Sequence, residues 1–255
     1  MYDLFHLKLL DLLQIIQVVQ KQIPNLLTLF NLFLGCIVVL LLVENNLEVR
    51  YVFIITLICV FFDYLDGFIA RKLNSKSEIG AQLDSLADLI SFGLVPGILI
   101  YNMFLTAPSS SVGSISSSFI PFLGFLVTLC SAYRLARFNT RKSTSKYFKG
   151  LPTPANAVLI YSISIISNYD NFISEIILNY NVLLLILFIS CILLVSNLKL
   201  LNFKFKSFKF IGNRRRYMLI FISILTLIFC GIYAVPIVLS IYILTSIFTF
   251  YKLKN

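Results

Sequence analysis

Between Phe61 and Pro96 the sequence reads FFDYLDGFIARKLNSKSEIGAQLDSLADLISFGLVP, which places four aspartates inside otherwise apolar chain. Asp63, Asp66, Gly67, Ala70 and Arg71 fall at i, i+3, i+4, i+7 and i+8, so on an α-helix they share one face. Gly80, Asp84 and Asp88 recur at i, i+4 and i+8 and line one face of a second helix. The polar link from Lys72 to Ile79 lets the two helices run antiparallel with those faces together. A carboxylate well inside a membrane helix costs about 2.5 to 3.5 kcal/mol on insertion scales, and four aimed at one another also repel. Cations must therefore be part of the site. All-oxygen ligation suits Mg²⁺, Mn²⁺ or Ca²⁺, and the single histidine and five scattered cysteines offer no zinc alternative. Two competing readings remain at this point. The aspartates pair with Arg71 and its neighbours, or they line the water-filled path of a cation transporter.

Composition says where these helices lie. Of the 255 residues 59% are hydrophobic, and the mean hydropathy of +0.93 is too high for a soluble fold. An all-α, polytopic membrane protein forming a single membrane domain over 1–255 is the expectation. The net charge of +10 raises nucleic acid as a partner, yet the basic residues occupy short connections between apolar spans. Anionic membrane lipids are the expected partners, and nucleic acid is not. Cys36, Cys59, Cys130, Cys191 and Cys230 each stand alone in an apolar run, so they read as small buried hydrophobes without a disulfide.

Residues 1–23 alternate apolar pairs with Asp11, Gln14, Gln17 and Gln20, which predicts an amphipathic helix in the membrane interface. Asp3 precedes the apolar part and no small-residue cleavage site follows it, so a signal peptide is not expected. His6 takes no role. Pro24 and Asn25 predict a break before the first span, residues 26–43. Seven further spans are expected at 49–73, 80–105, 119–138, 155–168, 177–197, 217–233 and 235–250, about eight in all. The last two form a hairpin or one long kinked helix around Gly231 to Pro236. The serine-rich 107–118 segment reads as a loop, and the basic and aromatic stretch 198–217 as a lipid-facing interfacial loop.

Arg134 and Arg137 share a helix face and can hold phosphate or carboxylate oxygens in bidentate fashion, with positive-inside anchoring as the competing reading. With eight spans and the N-terminus inside, every one of the 21 lysines and arginines except Arg50 falls on the cytoplasmic side. The aspartates then face the cytoplasm. Asp63 lies eight residues from Arg71, about 12 Å at helical rise, so the site sits inside the bilayer near one surface. No Cys, His or Lys is expected on the aspartate faces, which leaves a covalent intermediate without a nucleophile.

The aspartate spacing resembles the signature D-x2-D-G-x2-A-R-x8-G-x3-D-x3-D of the CDP-alcohol phosphatidyltransferase family, and all eight fixed positions are filled. At roughly one in twenty per position, a chance match is on the order of 10⁻¹⁰ per starting point. The resemblance implies that Asp63, Asp66, Asp84 and Asp88 hold two Mg²⁺ or Mn²⁺ ions, with no organic cofactor, and that Asp88 doubles as general base. It implies that Asp66, Gly67, Ala70, Arg71, Gly80 and Asp84 seat the CDP moiety. It places the catalytic helices at 24–168, with 169–255 adding further spans, in an expected homodimer. DSLADLISFGLVP, RLARFN at 134–139, GLPTPA at 150–155 and IPNLLTLFNLFLG at 23–35 resemble the branch that moves a phosphatidyl group from CDP-diacylglycerol to L-serine. Branches making archaetidylserine or phosphatidylglycerophosphate are the alternatives within the family. Outside it stand the cation transporter, although no internal repeat is evident, and a non-catalytic lipid-binding protein.

Overall fold

A computed structural model describes residues 2–44, 48–75, 77–108, 119–140, 148–169, 171–201 and 213–252, without the side chains of 2–19, 21, 148, 215 and 250–252. The serine run at 109–118, the basic segment at 202–212, Lys76, and His6 with the polar stripe of the first helix lie outside what is described. By their internal contacts the residues form two compact units, Met1–Leu47 with Tyr51–Ser91, and Glu48–Arg50 with Phe92–Asn255.

The first unit is built from α1 (Tyr2–Glu44), α2 (Val49–Lys72) and α3 (Glu78–Asp88). The break expected at Pro24 is absent, because α1 runs unbroken through it. Proline removes only its own bond to the carbonyl four residues back, and helix-forming sequence on both sides carries the chain across that gap. The buried face of α1 is a stripe, Pro24, Thr28, Asn31, Gly35, Val38 and Leu42, spaced alternately by four and three residues. At Gly35 there is no room for a side chain, since a Cβ would strike the Ser91 hydroxyl. Ser91 in turn donates to Asn31 Oδ1 at 3.1 Å, so α1 is pinned beside the segment that follows α3.

Tight caps make the α2–α3 connection. Asn74 adopts φ of 50°, and Ser75 N donates to Ala70 O at 3.0 Å, the hydrogen bond of a left-handed helix stop. Ser77 then caps α3 by accepting from Gly80 N at 2.9 Å. Beyond Asp88 the helix widens into a π-helical turn, Leu89–Leu94. Pro96 lacks the amide that would bond the Phe92 carbonyl, and a wider turn accommodates that missing bond.

The second unit contains α4 (Val95–Thr106), a 3-10 turn at Ile120–Phe125, α5 (Leu126–Asn139), α6 (Thr153–Tyr169), α7 (Asn171–Ile177), α8 (Tyr180–Val195), α9 (Arg214–Cys230) and α10 (Ala234–Lys252). Leu99, Phe104, Ile160, Tyr161 and Leu187 form its core. The exceptions to an all-α fold among the described residues are two short strands, β1 (Phe148–Lys149) and β2 (Lys199–Leu200), paired antiparallel. They dock the Gly150 turn on the end of α8, where Gly150 N and Leu151 N donate to Leu198 O and Leu193 O, each at 2.9 Å. Gly150 has φ of 73°, and a Cβ there would lie 2.8 Å from Leu194 O, so only glycine fits.

Among the described residues five stretches are long and apolar enough to cross a bilayer: Gln22–Glu44, Val49–Lys72, Glu78–Thr106, Ile120–Asn139 and Arg216–Thr249. A sixth arises if α7 and α8, bent by 70°, count as one. The structure thus bears out a multi-span helical protein without showing all eight spans. Hydropathy cannot separate a lipid-facing helix from one wrapped in protein. The 17-residue α6 buries Ile160, Tyr161, Ser162, Ser164, Ile165 and Ile166 among its neighbours. In the 34-residue stretch Arg216–Thr249, Gly231 takes φ of 52° and starts a 3-10 turn, around which α9 and α10 pack on each other, favouring two segments over one rod.

Candidate active site

The four aspartates meet inside the first unit. On α2 the inward stripe is Val52, Thr56, Cys59, Asp63, Asp66 and Ala70, again spaced by four and three, so the carboxylates continue a packing face instead of standing apart from it. Asp84 and Asp88 both project from α3, Asp88 as its last residue. Carboxylate oxygens of Asp63, Asp66 and Asp84 all lie within 4.8 Å of one another. Asp63 is central, within hydrogen-bonding reach of both Asp84 and Asp88. Asp88 is 9% exposed, and its Oδ1 has no hydrogen-bond partner.

Such an arrangement fits bound cations. Among the described residues no lysine or arginine makes an ion pair with these carboxylates, while Arg71 acts on Asp66 through space. Four acids held together and one buried oxygen left without a partner are a donor set awaiting positive charge, and hard divalent ions take such oxygens. The expected four-carboxylate face is therefore assembled, and Asp63, Asp66 and Asp84 can hold a metal ion.

Beside the carboxylates opens a cavity of about 200 Å³. Asp66, Gly67, Ala70 and Arg71 of α2 form one wall, and Gly80, Ala81 and Asp84 of α3 a second. The third wall, Pro24, Asn25 and Thr28 of α1, was not singled out from sequence as part of the site. Its signal is the polar pair Asn25 and Thr28 at the start of the first apolar span. Thr28 Oγ1 donates to Asp66 Oδ2 at 2.5 Å. A Cβ on Gly80 would lie 2.9 Å from Asn25 Oδ1, so the bare backbone at 80 is what lets α1 and α3 approach here.

One expectation about the aspartate face needs correcting. Cys59 does lie on the aspartate face, four residues before Asp63, contrary to the expectation that no cysteine would. It is buried one turn deeper, with Sγ 3.9 Å from the Asn31 carbonyl. Arg134 and Arg137 belong to the second unit. Arg137 donates through Nη1 to Val195 O at 2.8 Å and through Nη2 to Asn197 Oδ1, which places its charge at the C-terminal end of α8.

Residues 21–193 match the family model for CDP-alcohol phosphatidyltransferase. The chain belongs to that family. It is 33% identical over 153 residues to the CDP-diacylglycerol–serine O-phosphatidyltransferase of Bacillus subtilis, covering 58% of this chain and 78% of that protein. Its match to the enzyme of the same name from Helicobacter pylori is 29% identical over 231 residues, 88% of this chain and 89% of that protein. The archaetidylserine synthase of Methanothermobacter thermautotrophicus is 37% identical over 152 residues, 58% of this chain and 60% of that protein, less than two thirds of its length.

Proposed function

We propose that the protein transfers the phosphatidyl group of CDP-diacylglycerol to L-serine, giving phosphatidylserine and CMP. The observation that carries this reading is the convergence of four carboxylates beside a glycine-lined cavity, in a chain similar to enzymes named for this reaction. Asp63, Asp66, Asp84 and Asp88 are the residues to hold two Mg²⁺ or Mn²⁺ ions. Bound there, such ions neutralise the diphosphate and stabilise the oxygen that departs with CMP. Arg71 pairs with phosphate, and Gly67 and Gly80 let the nucleotide approach the backbone. The serine hydroxyl oxygen attacks the phosphorus carrying diacylglycerol, the bond from that phosphorus to the bridging oxygen breaks, and Asp88 takes the hydroxyl proton.

Purified protein should release CMP from CDP-diacylglycerol only with a divalent cation and with serine, and not with glycerol-3-phosphate, inositol or choline. Release driven by glycerol-3-phosphate alone would reassign the acceptor. The likeness to an archaetidylserine synthase leaves the lipid part as a second variable, which CDP-archaeol in the same assay reads directly. Family membership removes the ground for the transporter reading.

The active site is taken to face the cytoplasm, in eight spans with the N-terminus inside. The distribution of lysine and arginine supports that orientation. Single cysteines in the 141–149 and 199–216 loops should label from the cytoplasmic side and those in 107–118 from the other. Labelling of both sets from one side would overturn the eight-span arrangement.

A further inference from the structure

Asp66 differs from the other three acids. Asp63 is within hydrogen-bonding reach of Asp84 and of Asp88, whereas Asp66 accepts from the Thr28 hydroxyl and the Gly67 backbone. Thr28 is 3% exposed and Asp66 5%, so the bond is largely shielded from bulk solvent. We propose that Thr28 is a positioning residue for the cation site, its hydroxyl fixing the Asp66 carboxylate through Oδ2 and leaving the remaining oxygen as ligand. This rests on the two-cation reading above.

The physical case has three parts. The terminal torsion of an aspartate is soft, so an isolated carboxylate samples many orientations. A helical threonine is confined to few χ1 rotamers, and the one found here holds Oγ1 over the preceding turn, 3.0 Å from the Pro24 carbonyl, which sets the direction of its hydroxyl. Finally, α1 itself is anchored, since Asn31 accepts from Ser91 one turn below and Gly35 leaves no gap beneath that. The same hydroxyl lies 3.0 Å from the Pro24 carbonyl, an alternative acceptor that keeps it paired if the carboxylate turns away. Among the described residues α1 adds none to the carboxylate cluster, yet through Thr28 it sets the geometry of α2, which does.

Binding of Mn²⁺ to purified full-length protein, followed by the electron paramagnetic resonance of the free ion, tests this without recourse to turnover. Thr28→Val keeps the branched shape and removes the hydroxyl, and it should weaken Mn²⁺ binding by about 10- to 100-fold, the usual effect of losing a group that orients a ligand. Its melting temperature in EDTA should match that of the parent. Thr28→Ser retains the hydroxyl and should bind Mn²⁺ within about threefold of the parent. Parent-like Mn²⁺ affinity in Thr28→Val overturns the proposal, as does a loss in Thr28→Ser as large as that in Thr28→Val. If Thr28→Val does not fold, the serine variant decides alone, with a tenfold loss counting against the proposal and retained affinity for it. Parent protein that binds no Mn²⁺ would instead remove the cation reading on which Thr28 depends.

Discussion

Asp84→Asn is expected to lower CMP release by about 10³-fold, the factor that loss of some 4 kcal/mol of charge stabilisation at the transition state produces. The amide is nearly isosteric, so packing is kept while one anionic ligand is lost from a group whose members lie within 4.8 Å. Asp63→Asn should be at least as severe, because Asp63 reaches both Asp84 and Asp88 and its loss affects the whole cluster. Asp88→Asn should behave differently. Its loss of turnover is expected to accompany substantial binding of CDP-diacylglycerol, since the proposed proton acceptor is removed while three carboxylates remain. Steady-state rates with and without Mg²⁺, set beside binding of the liponucleotide, separate the two patterns. An Asp84→Asn enzyme fully active without added metal would end the two-cation account.

The second large effect is an expected silence. Labelled CMP should not exchange into CDP-diacylglycerol when serine and phosphatidylserine are both absent, because direct attack needs both substrates bound together. The chemistry then proceeds with one inversion at phosphorus. Exchange would require a covalent phosphatidyl-enzyme, and the residue to suspect is Cys59, the thiol on the aspartate stripe. That thiol is 1% exposed and directed at the Asn31 carbonyl, a position that fits packing and not attack. Cys59→Ser should therefore leave the serine-dependent rate within about threefold, against the far greater loss expected on removing a true nucleophile. Rapid exchange in the parent, abolished by Cys59→Ser, would replace direct displacement with a two-step reaction.

Local order was legible. The spacing of Asp63, Asp66, Asp84 and Asp88 predicts two faces, and both form, because a helix repeats every 3.6 residues whatever surrounds it. The same rule, carried back four residues from Asp63, reaches Cys59 and places it on that face. Pro24 was read too strongly, since a proline perturbs one hydrogen bond and does not by itself end a helix whose sequence continues. Hydropathy identified apolar runs, yet it could not tell that α6 is buried in protein over much of its surface.

The sequence by itself determined which groups share a face: four carboxylates on two helical faces, with glycines and an arginine at intervals that periodicity alone fixes. Tertiary structure decided which other groups attend them. Thr28 lies 38 residues from Asp66 and meets it only because Gly35, Asn31 and Ser91 seat α1 beside the segment after α3. Likewise Arg137 finds Val195 and Asn197 across 58 and 60 residues, at a helix end that no local pattern announces. Periodicity is a property of a few consecutive residues, whereas the partner of a buried hydroxyl or guanidinium is set by how whole helices fit together, and that fit depends on side-chain volumes far apart in the chain.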